Sequence, residues 1–223
     1  MMSPRPPRIS RDDVLSAARD LVDENGVDWL TMRRLGAALH ADPMTAYRHF
    51  PGKAELAAAL ADQFWIELPL PDAPTTTDWR TYAAELMRTI RRTLAAHAGL
   101  IPIVATHPIT SPAALAVADR AIGAMIERGA PLDPALGDLV NVLVMTTVAS
   151  AMGEFSTPAG AESEGAGAGA AGGGTEEEAA LLAALPNLGR LLAAGWASSP
   201  ERQFEEGIRA ILQGWSLPSS PAS

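Results

Sequence analysis

The fold is decided by residues 30–50: Leu30-Thr31-Met32-Arg33-Arg34-Leu35-Gly36-Ala37-Ala38-Leu39-His40-Ala41-Asp42-Pro43-Met44-Thr45-Ala46-Tyr47-Arg48-His49-Phe50. Thr31 is a helix N-cap, and Met32, Leu35, Gly36 and Leu39 follow at the spacing of a short amphipathic helix. His40-Ala41-Asp42-Pro43 is a tight turn with proline near the start of a second short helix. That helix carries Met44, Ala46, Tyr47 and Phe50, and Pro51-Gly52 breaks it. A short helix, a four-residue turn and another short helix make a helix-turn-helix. Leu35, Leu39, Ala46 and Phe50 fall where the two helices must pack. Gly36 and Ala37 are small enough to allow close approach. The second helix then exposes Pro43, Met44, Thr45, Arg48 and His49, the face that would enter a major groove.

Helical signals continue on both sides of this motif. Ser10 with Asp12 and Asp13 caps a helix whose apolar positions are Val14, Leu15, Ala18, Leu21 and Val22, and Asn25-Gly26 stops it. Residues 1–8 hold three prolines and two arginines and are expected as a flexible arm. A longer helix is expected from Lys53 to about Leu68, with Leu56, Leu60, Phe64 and Trp65 on its buried side. The proline-rich stretch at 69–74 marks a boundary between a helix-turn-helix domain at 9–68 and a second helical domain at 75–217. In the second domain, Asp78, Ser111-Pro112, Asp133-Pro134 and Ser199-Pro200 are helix starts. Residues 157–174 read as a flexible Gly-rich loop, and Thr175 with Glu178 as a capping box opening a helix through Leu185. Pro186 interrupts that helix, and Leu188, Leu191 and Leu192 continue on a further piece. Strand-like alternation is absent, so the expected fold is all-α.

The chain has 223 residues, 48% of them apolar and 19% charged, which is the composition of a globular protein with its own core. It contains no cysteine, which excludes disulfides, thiolate metal sites and a cysteine nucleophile. No uninterrupted apolar run approaches a membrane span, and the N-terminus lacks the apolar region of a secretory signal, so a cytoplasmic protein with no membrane partner is expected. The net charge of −9 argues against a nucleic-acid partner when averaged over the whole chain. The distribution argues otherwise. Residues 31–53 carry Arg33, Arg34, Arg48 and Lys53 against Asp42 alone, and Arg5, Arg8 and Arg11 lie nearby. Residues 69–223 carry nine basic against sixteen acidic side chains. A small basic surface sits on an acidic body; by charge alone it is equally a solvated face or a DNA-binding one.

The stretch from Leu30 to Gly36, together with Tyr47-Arg48-His49-Phe50-Pro51-Gly52-Lys53-Ala54-Glu55-Leu56, resembles the signature of the TetR family of bacterial transcriptional repressors. With the preceding helix the likeness covers about 45 residues. One departure is His40, where that family commonly has glycine; histidine is among the residues enriched at positive φ, so the turn survives. The resemblance implies DNA contact by Arg33, at a guanine edge or a phosphate, and a grip on the sugar-phosphate backbone by Tyr47, His49 and Lys53. Pro43, Met44 and Thr45 open the second helix, where side chains can meet base edges, with Thr45 fitting a base or a phosphate, and Thr31 fits both an N-cap and a phosphate contact. Arg48 belongs to the same exposed face. Tyr47 fits a core role as well as a contact. Arg5 and Arg8 fit a minor-groove contact or a solvated tail.

The rest of the chain is more weakly similar to the tetracycline-repressor subgroup, through its helix order, its Gly-rich loop and Gly99-Leu100 followed by Thr106-His107-Pro108. In that subgroup the C-terminal domain dimerises and holds an effector, and a pocket histidine ligates a magnesium ion that arrives with the drug. Here Ile103 stands at that histidine's position, Leu86 at a drug-binding amide and Ile90 at a pocket aromatic. A hard cation has lost its ligands, so no metal or other cofactor is expected. The remaining candidate lining is apolar: Leu86, Ile90, Ile103, Val104, Met125, Met145 and Met152, each fitting core equally well, with His107 at the mouth. His107 and His97 fit a ligand contact or a surface role. Leu139, Val142, Leu143, Phe204, Ile208, Ile211 and Leu212 are expected to form a four-helix seam between two chains.

The reading is therefore a ligand-responsive DNA-binding repressor, not an enzyme. It acts as a homodimer on a palindromic double-stranded operator and is released by a small apolar effector. A helical carrier or enzyme and a protein–protein adaptor are the competing classes. No phosphate loop, metal-ligand cluster or Ser-His-Asp order supports the former, and nothing specific supports the latter.

Overall fold

The computed structural model describes residues 9–156 and 184–216. The arm at 1–8, the Gly-rich stretch at 157–174 and the body of the helix expected from Thr175 lie outside the described residues. Leu185, expected as the end of that helix, is non-helical and precedes the next one.

Among the described residues there are ten α-helices and no strand. They are α1 (Arg11–Asn25), α2 (Met32–Ala38), α3 (Pro43–Tyr47), α4 (Lys53–Glu67) and α5 (Trp79–Ala96). Then follow α6 (Ile101–Thr106), α7 (Pro112–Glu127), α8 (Pro134–Phe155), α9 (Pro186–Ala193) and α10 (Pro200–Gly214). Short 3₁₀ turns at Val27–Trp29 and Ala98–Leu100 precede α2 and α6.

The helix ends follow from local chemistry. Ser10 and Asp13 form a reciprocal capping box at α1, with Asp13 N donating to Ser10 Oγ at 3.1 Å and Ser10 N to Asp13 Oδ2 at 2.8 Å. Both hydrogen bonds from Ser10 hold the Asp13 carboxyl below the usual carboxylate range. Asp42 caps α3, Ser111 caps α7 and Asp133 caps α8, each followed by proline at the first helical position. That proline has no N–H to leave unpaired, and its fixed φ suits the first turn. Arg202 N donates to Ser199 Oγ at 3.3 Å at the start of α10, repeating the device.

Contacts divide the chain into two units, residues 1–156 with 207–223, and residues 157–206. In the first, α2 and α3 pack on each other and α1 packs on α2 and α4. Across the connector at 69–74, α4 lies against α6 and α7. Helix α5 lies against α7 and α8, and α6 against α8. The 3₁₀ turn at Ala98–Leu100 packs on α1. There a Cβ on Gly99 would stand 2.1 Å from Val22 O, so only glycine permits the approach. Asp23 accepts from His97 Nδ1 at 2.7 Å beside it, and Arg19 pairs with Glu67 at 2.9 Å. In the second unit, α9 exposes Leu188, Leu191 and Leu192.

One expectation is corrected by burial. Leu139, Leu143, Phe204, Ile208 and Leu212 are buried within the single chain, so they are not free to form a seam between chains. Their apolar period is that of an intramolecular core, and only Val142 and Ile211 of that set are part-exposed. Helix α8 is long and apolar enough, by length and composition, to cross a membrane, although Asp138, Asn141 and Glu154 interrupt its apolar run. Its Leu136, Leu139, Leu143 and Val148 are buried, and α8 packs on α5 and α6.

Candidate DNA interface and effector cavity

Helices α2 and α3 are held as a rigid pair. Thr31 Oγ1 accepts from Arg34 N at 3.3 Å and Asp42 Oδ1 from Met44 N at 2.7 Å. A Cβ on Gly36 would lie 2.9 Å from both Cα and N of Pro43, so the glycine is what lets α3 cross α2. Ala37, expected to share that role, is exposed; the close approach falls on Gly36 alone. Leu35, Ala46 and Phe50 are buried between the helices, while Leu39 is half-buried. His40 has φ of 50°, the left-handed turn expected where a glycine is missing.

The outer face of α3 is left without partners from the core. Met44 is 60% exposed and Tyr47 43% exposed, and Arg48 is exposed beside them. That exposure removes the core role for Tyr47. Arg33 and Thr31 are exposed on α2, and Pro43 and Thr45 are half-buried at the start of α3. Two expected contact residues already have intramolecular roles. His49 Nε2 donates to Ile9 O at 3.1 Å, and Lys53 Nζ donates to Val27 O at 3.1 Å. These bonds tie the end of the motif and the start of α4 to the segments flanking α1. The Arg34 guanidinium stacks 3.8 Å from the centroid of the exposed Trp29 ring, a cation–π pair on the same part of the chain that sequence reasoning did not single out.

A cavity of about 310 Å³ lies between α4, α5, α7 and α8. That is at the lower end of the volumes that hold small ligands. Helix α4 and the connector contribute Trp65, Leu68 and Leu70, and α5 contributes Leu86 and Ile90. Helix α7 contributes Ala114, Val117, Ala118, Ala121 and Ile122. Helix α8 adds Gly137, Val140, Asn141 and Val144, and Ile109 completes the wall. A hollow of about 110 Å³ between α1, α4 and α5 is smaller and is walled in part by the Arg19–Glu67 pair and His97.

Of the expected ligand-binding residues, Leu86 and Ile90 are in the wall of the larger cavity; Ile103, His107, Met125 and Met145 are not. Ile103 and Met125 are buried in the core and do not line it. His107 Nδ1 donates to Ile103 O at 2.9 Å, which turns the ring onto its own helix. Met145 is 70% exposed on α8. Helix α8 is apolar on every side, so its sequence period does not reveal which side faces inward. Sequence reasoning missed the α7 wall. Its signal is a run of alanines one turn apart, Ala114, Ala118 and Ala121, where small side chains leave space. Among the described residues no group of His, Cys, Asp or Glu is arranged to hold a metal ion.

These features define a helix-turn-helix DNA-binding protein with a ligand-sized cavity in a helical body. Residues 14–60 match the profile of the bacterial regulatory proteins of the tetR family, and residues 70–216 that of the tetracyclin repressor-like C-terminal domain. The chain is 31% identical over 213 residues to the class A tetracycline repressor protein from transposon 1721 of Escherichia coli, across 93% of this chain and 90% of that protein. Its fold matches apo ActR from Streptomyces coelicolor with a TM-score of 0.76 at 23% identity, over 95% and 96% of the two chains. It matches a possible TetR family transcriptional regulator from Streptomyces coelicolor A3(2) with a TM-score of 0.70 at 29% identity, over 92% and 98%. The chain belongs to the TetR family: it is a transcriptional regulator of the ligand-binding repressor type, not an enzyme.

Proposed function

We propose that this protein is a cytoplasmic, homodimeric repressor that binds a palindromic operator through α2 and α3 and is released when a small apolar effector fills the cavity. The observation that carries the reading is the position of α4. The helix begins at Lys53, directly after the motif, and its Trp65 forms part of the cavity wall. An effector that contacts Trp65 therefore touches the helix that follows the DNA-reading pair. The exposed Met44, Tyr47 and Arg48 on α3, with Arg33 on α2, support the motif as the DNA-contacting face. Thr31, Pro43, Thr45, His49 and Lys53 complete the proposed contact set. In support of the effector half, ActR has also been solved in complex with actinorhodin, at 22% identity and a TM-score of 0.72.

A single helix-turn-helix makes few contacts, so two copies reading two half-sites are needed for selectivity. The exposed side of α8 with Met145 and Met152 is a candidate surface for the second copy. An effector acts only by binding one separation of the two motifs better than the other.

The test is selection of duplexes from a random pool by the purified protein, followed by binding at two salt concentrations and sedimentation of the complex. Recovery of a palindrome, bound by two chains with affinity falling steeply as salt rises, is the expected result. A monomer on an asymmetric site, or binding indifferent to salt, would overturn it.

A further inference from the structure

Two cations of the reading end are held at one turn, and neither meets a carboxylate. The 3₁₀ turn Val27–Trp29 leads into α2. Its Val27 carbonyl accepts from Lys53 Nζ at 3.1 Å, and its Trp29 ring carries the Arg34 guanidinium 3.8 Å from the centroid. One cation comes from α2 and the other from the start of α4, and the exposed Thr31 stands two residues beyond the turn. Among the described residues neither Arg34 nor Lys53 has an acidic partner within ion-pair distance, the exposed Asp28 of the turn itself included. Elsewhere the chain treats arginine differently: Arg19 pairs with Glu67, Arg91 with Glu154, and Arg88 and Arg92 with Glu85. A carboxylate neutralises a guanidinium. An aromatic face fixes it in place and leaves its charge and its edge N–H donors open to an anion. Trp29 is 46% exposed, so its ring serves the arginine more than the core.

We propose that Arg34 grips a phosphate of the operator backbone beside Thr31 and Lys53, and that Trp29 is the positioning residue that holds the guanidinium ready for it. The proposal rests on the reading of α2 and α3 as the DNA-contacting face. A planar guanidinium offers parallel N–H donors to two phosphate oxygens, and stacking on the ring fixes that plane. The freedom of a long side chain is already restricted in the free protein, so less is lost on binding. A phosphate contact carries no sequence information, so the pair adds affinity and register, not choice of bases.

The test measures binding of the duplex recovered by selection over a range of salt concentrations, for wild type, Arg34→Gln, Trp29→Leu and the two combined. Arg34→Gln should weaken binding about tenfold and reduce the slope of log affinity against log salt by about one for each half-site. The same factor should be lost on duplexes altered at single base pairs. Arg34→Lys keeps the charge without the planar fork, and should recover the slope but not the full affinity. Trp29→Leu should weaken binding about threefold in the wild-type background and not at all beside Arg34→Gln. Should Trp29→Leu fail to fold, Trp29→Met takes its place in the cycle. An unchanged salt slope in Arg34→Gln would overturn the phosphate contact. A loss on removing the ring that is the same with and without Arg34 would overturn the positioning role of Trp29. Recovery of no duplex by the wild type would overturn the motif as a DNA-contacting face, and this contact with it.

Discussion

The DNA-reading end and the cavity end of this molecule are built by opposite strategies. Around α2 and α3 nearly every structural decision is local. Thr31 caps α2 through the N–H three residues on, Asp42 caps α3 through the N–H two residues on, and Gly36 meets Pro43 seven positions along. The cavity is assembled from segments as far apart as Trp65 and Val144, none of which encloses anything by itself. A surface made from neighbours in sequence is tightly specified; a hollow made from distant helices changes with each wall residue while the helices stay in place.

The largest expected effect would break the comparison at the DNA end. Arg33→Ala combined with Arg48→Ala removes two exposed cations and should weaken operator binding about 100-fold or more. Thermal unfolding should be nearly unchanged, because neither side chain is buried. A large fall in stability, or wild-type DNA affinity, would show that these arginines serve the fold instead.

A middle-sized effect tests the other end. Ala118→Leu projects a larger side chain from α7 into the cavity. Binding of a rigid apolar probe such as fluorene should drop about tenfold or more, while operator affinity stays within about twofold, since the added atoms fill existing space. Loss of DNA binding together with probe binding would mean that the two ends are not separable.

How far each end could be read from sequence follows the same division. Asp42-Pro43, Ser111-Pro112, Asp133-Pro134 and Ser199-Pro200 announce helix starts within two or three residues, and all four are found where expected. The positive φ at His40 was likewise legible. The cavity was legible only at Leu86 and Ile90. Met145 and Val144 are adjacent and both apolar, yet one is exposed and the other lines the wall. Periodicity distinguishes an apolar side from a polar one, and α8 offers no polar side to orient it. The same blindness produced the seam between chains, whose leucines belong to the core of one chain.

The smallest effect lies on α5, which contributes Leu86 and Ile90 to the wall. Glu85 accepts hydrogen bonds from Arg92 at 2.8 Å and Arg88 at 3.4 Å. The bond from Arg92, with a lesser one from Arg88, holds the Glu85 carboxyl below the usual range. A carboxyl depressed in the folded state contributes stability above its unfolded pKa and loses it as pH falls through the folded one. Glu85→Gln should therefore flatten the acid limb of a plot of Tm against pH, below the usual carboxylate range, and leave the two curves parallel above it. With Glu85 partly exposed the difference should be slight, and an identical acid limb would show that solvent screens the pair completely.

The contact of Gly99 with Val22 gives α1 the mechanics of a lever. Its fulcrum is where the 3₁₀ turn before α6 meets the end of α1, too tight at Gly99 to admit any side chain. Its tip is Ile9, whose carbonyl is gripped by His49 at the end of the reading motif. At 1.5 Å per residue the arm between them is roughly 20 Å long, so a tilt of about 5° at the fulcrum carries the tip nearly 2 Å. A displacement of a few tenths of an ångström at the end of α1 is thus enlarged severalfold at Ile9, beside the end of the motif.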